Sequence, residues 1–261
     1  MELKGKVALV TGVGSGIGRA TALRLAQEGA RIGALSDTAA EVRATADAIK
    51  ANGGEAIALV ADVGAADPMK LAITELVQAF GGINIAIANA GINGVWAPID
   101  ELAPQEWDRT ISTNLRGTYL TLHYTVPHLK AAGSGAIVIV ASVNGTRTFS
   151  NTGATAYSCT KAAQVAMAKM TALELAKHKI RVNVVCPGQI ETEIDDNTFP
   201  HHLEKVRIPV EFPHGQIPLT DNKPGSAEDV AELILFLVSE RSKHITGTPV
   251  WIDGAQSLLV G

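Results

Sequence analysis

One run of residues sets the fold class of this chain before anything is counted: Thr11-Gly12-Val13-Gly14-Ser15-Gly16-Ile17-Gly18. The apolar run Val7–Val10 precedes it, and Arg19–Glu28 follows with Ala22, Leu23, Leu25 and Ala26 at helical spacing. A strand that passes through a glycine-rich turn into a helix is a βα unit. The spacing is not G-x-G-x-x-G, because Ile17 stands where the third glycine would fall. It is T-G-x-x-x-G-x-G, carried by Gly12, Gly16 and Gly18. Glycines there let the main chain approach a pyrophosphate, which the free N–H groups and dipole of a helix N-terminus attract. A glycine-rich βα turn that binds nothing is the plain alternative, so the rest of the chain must decide.

The alternation continues. Arg31–Ser36 reads as a second strand and Ala39–Ala51 as a helix stopped by Asn52-Gly53-Gly54. Glu55–Val60 is a third strand. Asp67-Pro68 reads as an N-cap with proline at the first helical position, opening a helix over Met69–Phe80. Ile83–Ala88 is a fourth strand, Pro104–Thr113 and Leu115–Ala131 are helical, and Ala136–Ala141 is a fifth strand. Ala154–Lys177 is a long helix and Arg181–Cys186 a sixth strand. Ser226 caps a helix to about Val238, with Glu228 and Asp229 in its first turn, and Val250–Ile252 is a seventh strand. Strands without polar alternation are buried on both faces, as in a parallel sheet covered by helices. The expected fold is therefore α/β: one Rossmann-like, doubly wound domain over residues 1–261, with about seven parallel strands and helices on both faces. Glu191–Gly225 has no clear period and five prolines, and is expected to be a substrate lid.

Composition excludes several classes. With 22 Lys+Arg against 26 Asp+Glu the net charge is −4, which argues against a nucleic-acid or acidic-membrane binder. No apolar run reaches about 18 residues, so nothing is expected to span a bilayer. Met1–Lys6 leads only into a short apolar run, so no secretory signal is expected. Two cysteines, Cys159 and Cys186, make neither a disulfide framework nor a zinc site. The expectation is a cytoplasmic protein.

Two further features carry chemistry. Asp37 follows the second strand, about 20 residues after the glycine turn, where a carboxylate accepts the 2′-hydroxyl of an adenosine ribose and repels a 2′-phosphate. No Arg or Lys directly follows it and Ser15 is not basic, which favours NAD, with NADP as the alternative. Tyr157 and Lys161 stand four apart on one helix face. A tyrosine is a poor acid/base at neutral pH. A nearby ammonium and a positively charged nicotinamide are expected to lower its pKa. Ser142, at the end of the fifth strand, falls at the carboxyl edge of the sheet, where ligands sit in this architecture.

In order and on the right elements, these motifs resemble the short-chain dehydrogenase/reductase family along essentially the whole chain. Beside Thr11–Gly18 stand Asp62-Val63 after the third strand, Asn89-Ala90-Gly91 after the fourth, Asn114 in the helical region, Ser142, Tyr157 and Lys161. Pro187-Gly188-Gln189-Ile190-Glu191-Thr192 follows the sixth strand, and Ile252-Asp253-Gly254 closes the seventh. The resemblance implies hydride transfer between NAD(P) and a secondary alcohol or ketone. It makes Tyr157 the acid/base and gives Lys161 to its pKa and to the nicotinamide ribose. Ser142 goes to the substrate oxygen and Asn114 to a proton relay. Gly12, Ser15, Gly16, Ile17, Gly18, Asp37, Asp62, Val63, Asn89, Ala90, Gly91, Pro187, Gly188, Ile190 and Thr192 are the implied cofactor contacts, with Ile190 and Thr192 fixing the carboxamide. Two positions depart from the family pattern: Ala88 replaces a first asparagine, and Asp37 lies one place after the usual acid, where Ser36 stands.

The remaining features have plainer readings. His201, His202 and His214 fall in the lid without zinc spacing, so no metal is expected. Cys159 reads as a small packing residue, Arg147 as a surface arginine, and Trp96 as either pocket wall or core cap. Ala154–Lys177 is apolar round much of its surface, which fits a homotetramer or dimer packing through it, as in the family. The competing functions are a catalytically silent dinucleotide-binding regulator and a methyltransferase, and the latter leaves Ser142, Tyr157 and Lys161 unexplained. The substrate stays open between a 3-oxoacyl thioester, a sugar or polyol, and a small ketone.

Overall fold

A computed structural model describes residues 1–212 and 215–259. His214 therefore lies outside the described residues. The chain runs β1 (Val7–Thr11), α1 (Gly16–Gln27), β2 (Arg31–Ser36), α2 (Ala39–Ala51), β3 (Ala56–Val60), α3 (Ala66–Phe80), β4 (Ile85–Ala88) and β5 (Gly94–Trp96). Next come α4 (Pro104–Thr110), a π-helical turn (Ile111–Arg116), α5 (Gly117–Ala131), β6 (Gly135–Val140), α6 (Thr155–Ala176) and β7 (Ile180–Pro187). After β8 (Thr198–Pro200) come α7 (Ala227–Val238) and β9 (Pro249–Ile252).

Seven strands form one parallel sheet in the order β3-β2-β1-β4-β6-β7-β9. The chain winds outward from β1 to β3 and then returns to place β4 on the other side of β1. That reversal opens a crevice at the carboxyl ends of β1 and β4, the point where ligands enter doubly wound sheets. Alternate residues of each strand feed two cores. One gathers Leu9, Leu76, Leu129, Ile137 and Val182 under α3, α5 and α6. The other gathers Val10, Leu25, Ile49, Val138 and Ile234 under α1, α2 and α7. The expected fold class thus holds, for the expected reason: the five inner strands are buried on both faces, and only the edge strands β3 and β9 are partly open.

Three local expectations are corrected. Asp67 is not a cap, since α3 starts at Ala66 with Ala65 as N-cap. An Asp62–Ala65 turn delivers the chain early (Ala65 N–H to Asp62 C=O, 3.1 Å), and Asp67 then faces the dipole from within the first turn. The break expected near Asn114 is instead a wide turn, Ile111–Arg116, inside one continuous helical run. Glu191–Gly225 is not without structure: it holds short 3₁₀ turns at Glu193–Asn197, Leu203–Lys205 and Pro218–Thr220, and the strand β8. In parallel register β8 pairs with β5, Gly94 to Thr198 and Trp96 to Pro200, in a separate two-stranded ribbon. Both ends of the segment meet at one point, where Gly225 N–H donates to Gln189 C=O and Glu191 N–H to Gly225 C=O.

Candidate active site

The glycine turn leaves β1 at the crevice. Gly12 and Gly16 hold positive φ, +71° and +50°. A Cβ on Gly18 would overlap the Gly12 carbonyl oxygen, so α1 and the turn pack backbone on backbone. Ser15 is the N-cap of α1 but its hydroxyl caps nothing among the described residues, which leaves the first N–H groups free for an anion. Thr192 sits above that helix end: a Cβ on Gly16 would lie 3.0 Å from its methyl. The turn is braced from β4. Asn89 Nδ2 donates to the carbonyls of Thr11 (3.0 Å) and Gly12 (3.2 Å), and Thr11 Oγ1 accepts from the N–H of Asn89 (3.0 Å) and Ala90 (3.1 Å). The Asn89 amide is therefore spent on shaping the turn, and Ala88 in place of an asparagine costs it nothing.

The end of the crevice beside β2 is acidic. Asp37 ends β2 exposed to solvent. Glu41, in the first turn of α2, was not singled out from sequence; a Cβ on Gly14 would overlap its carboxylate. Its distance from the turn in sequence hid it, although Gly14, the glycine without a motif role, was the trace it left. Asp62 Oδ1 accepts from Gly64 N–H at 2.8 Å, and Val63 is buried against Gly117.

Behind the crevice the implied catalytic residues converge. Ser142 lies two residues past the end of β6 and is buried; its Oγ accepts from Asn144 N–H at 3.1 Å. Tyr157 and Lys161 are both buried on α6, with Lys161 Nζ 5.3 Å from the phenol ring centroid and donating to Val140 C=O at 2.9 Å. A Cβ on Gly91 would lie 3.3 Å from Asn114 Oδ1 and 3.6 Å from Lys161 Nζ, so β4, the π turn and α6 meet there. Asn114 bonds the main chain of Ile92 twice, accepting from its N–H (2.8 Å) and donating to its C=O (2.9 Å). On the far side Gly188 N–H donates to Ile252 C=O (3.0 Å) and joins Pro187–Thr192 to β9.

The electrostatics of the protein alone are set by burial. Burial pushes the Tyr157 phenol up to about 12, and the facing Ser142 hydroxyl only partly opposes this. Burial also draws Lys161 down to about 8. Desolvation disfavours the charged form of each group, which raises the phenol and lowers the ammonium. Cys186, at the end of the same pocket, is pushed up to about 11 by burial and stays a thiol.

Elsewhere, Cys159 is exposed on α6 rather than buried as a packing residue. Arg147 is not a free surface arginine: its guanidinium stacks 3.6 Å over the Trp251 ring. His202 pairs with Glu101 at 2.6 Å, and no group of three His, Cys, Asp or Glu among the described residues is placed to hold a metal. No described helix is long and apolar enough to cross a membrane.

A parallel doubly wound sheet whose crevice gathers a glycine turn, a serine, a tyrosine and a lysine defines an oxidoreductase of the Rossmann class. The chain matches the family model for short chain dehydrogenase over residues 6–202, and it belongs to that family. It is 37% identical to cyclohexanol dehydrogenase of Acinetobacter sp. (strain SE19), with 97% of this chain and 96% of that one aligned. A crystal structure of a 3-ketoacyl-ACP reductase from Sinorhizobium meliloti 1021 is 62% identical, with TM-score 0.93, covering 97% of this chain and 99% of that one. A 3-ketoacyl-(acyl-carrier-protein) reductase from Brucella melitensis, solved with NADH, is 31% identical with TM-score 0.85, covering 98% and 99%. The family binds a nicotinamide dinucleotide, and the glycine cradle described above fits one.

Proposed function

We propose that the protein is an NAD-dependent oxidoreductase that interconverts a secondary alcohol and a ketone, with Tyr157 as acid/base. The observation that carries this reading is the buried Tyr157 phenol flanked by the Ser142 hydroxyl and the Lys161 ammonium at the crevice. Hydride exchange is the chemistry that a nicotinamide dinucleotide supplies when bound in this cradle. Gly12, Ser15, Gly16, Ile17 and Gly18 hold its phosphates and Asp62, Val63, Ala90 and Gly91 its adenosine side. Pro187, Gly188, Ile190 and Thr192 hold its carboxamide side. Ser142 Oγ donates to the substrate oxygen. Tyr157 Oη gives its proton to that oxygen as a ketone is reduced and takes it back as the alcohol is oxidised. A phenol raised to about 12 is already the acid form at neutral pH, which suits reduction.

NAD is assigned over NADP because two carboxylates, Asp37 and Glu41, border the adenosine end. We read residues 191–225 as the substrate lid. We also propose a homotetramer, or a dimer, because α6 exposes Met170 and Leu173 and α5 exposes Tyr119. The relatives' names suggest two substrates to try first, a cyclic secondary alcohol and a 3-oxoacyl thioester. Both, with sugars and polyols, should be screened against NAD and NADP in parallel; a clear NADP preference overturns the role of Asp37. The test of mechanism is Tyr157→Phe. NAD binding by calorimetry should persist while turnover falls by about 10³-fold, and a mutant that turns over at a comparable rate removes Tyr157 from the reaction.

A further inference from the structure

The π turn has a consequence for Asn114. The Asn114 carbonyl, inside that turn, takes two side-chain donors. Thr118 Oγ1 reaches it at 2.7 Å, and Gln164 Nε2, from one turn beyond Lys161 on α6, at 2.9 Å. The second N–H of the same Gln164 amide donates to Thr118 Oγ1 at 2.8 Å. Gln164 is completely buried, and its Oε1 takes no partner among the described residues. A buried amide acceptor without a partner disfavours folding. Removing the amide altogether would orphan nothing, because the Asn114 carbonyl keeps Thr118 and the Thr118 hydroxyl keeps that carbonyl. Stability alone therefore gives no reason for a glutamine at this place.

We infer that Gln164 is a positioning residue: its two N–H groups pin the π turn to α6 and so hold Asn114 on the Ile92 main chain beside Lys161. Thr160 supports the same joint. Its hydroxyl accepts from Asn114 Nδ2 at 3.2 Å and donates to Tyr157 C=O at 2.6 Å, so the turn is tied to the helix that carries both Tyr157 and Lys161. The relevance to turnover rests on the proposed reading of Tyr157 and Lys161 as the proton-handling pair.

The test compares Gln164→Met, which keeps length and burial but has no donors, with Gln164→Glu, which keeps shape and acceptor but lacks the amide N–H groups. Hydrogen exchange at the Ile92 amide, which donates to Asn114, needs no substrate. It should quicken about tenfold or more in either variant while amides of β1 and β6 keep their protection. An unchanged Ile92 rate in both variants overturns the inference. With a substrate that the wild type turns over, turnover should fall about tenfold with the KM for NAD within about twofold, and Asn114→Ala/Gln164→Met should be no slower than Asn114→Ala alone. Losses that multiply in the double variant would mean that Gln164 does not act through Asn114, and overturn it equally. If the wild type turns over nothing, the proposed function fails and the exchange result still decides the place of Gln164.

Discussion

The floor of the crevice and residues 191–225, the proposed lid, are built by opposite means. The floor is close-packed: Gly18 against the Gly12 carbonyl, the Asn89 amide braced on two carbonyls, and Tyr157 and Lys161 buried on α6. The lid is fastened at a few polar points. Its ends are clasped at Gly225, Thr198 Oγ1 accepts from Asn93 Nδ2 at 2.7 Å, and Glu101 holds His202 and Lys205. Between those points it leaves Ile208 and Leu219 exposed. The difference teaches where each proposed role would reside: the positions assigned to proton and hydride chemistry are buried and closely braced, while those assigned to substrate recognition are held at a few polar points.

That contrast can be broken or sharpened by experiment. The largest effect is expected from Gly18→Ala, because the new methyl has no space and neither neighbouring backbone can yield. Overpacking of this kind costs on the order of 3 kcal/mol, which lowers Tm by roughly 6–12 °C for a chain of this size, and calorimetry should detect no NAD binding. A variant with normal Tm and binding would show that the floor is softer than described. Next comes pH. Tyr157 must be a phenolate to take a proton, and its pKa is raised, so alcohol oxidation should climb steeply from pH 7 to 10 while ketone reduction, which uses the neutral phenol, should not. Oxidation independent of pH over that range would remove the assigned base. On α6, Leu173→Glu should shift the species seen by light scattering to a smaller one, with the thermal unfolding of each chain retained. An unchanged mass would move the interface elsewhere. The smallest effect is expected from Glu101→Gln in the lid's fastening. Exposed pairs contribute little to stability, so Tm should hold within about 1 °C and only the substrate KM should change, by about two- to fivefold. A large loss of turnover from this variant would mean that the lid shares the floor's work.

The same contrast decides what could be read from the sequence. The floor was legible because its requirements are local: three glycines at fixed spacing, an acid after β2, and tyrosine and lysine one helical turn apart. The lid was legible only as an aperiodic stretch. Its strand β8 is three residues long and pairs with β5 a hundred residues away in the chain, a partnership that no local pattern encodes. Glu41 and Gln164 were missed for a related reason. Each acts on an element distant in sequence, and only packing shows that Gly14 makes room for one and that the Asn114 carbonyl accepts from the other. The burial that raises the Tyr157 phenol was not legible either, because charge proximity can be read from spacing whereas desolvation cannot.

The β5–β8 ribbon also defines a unit of exchange. Residues 191–225 return to their own starting point, so they look like a cassette that could be transplanted between relatives to carry substrate preference with it. The ribbon contradicts that boundary: a grafted strand must find Gly94–Trp96 in register, an asparagine at 93 for its threonine, and a glutamate at 101 for its histidine and lysine. The transferable module is therefore discontinuous, the grafted segment together with residues 93–101, and chimaeras that swap one without the other should fold on a sound floor under an ill-fitting roof.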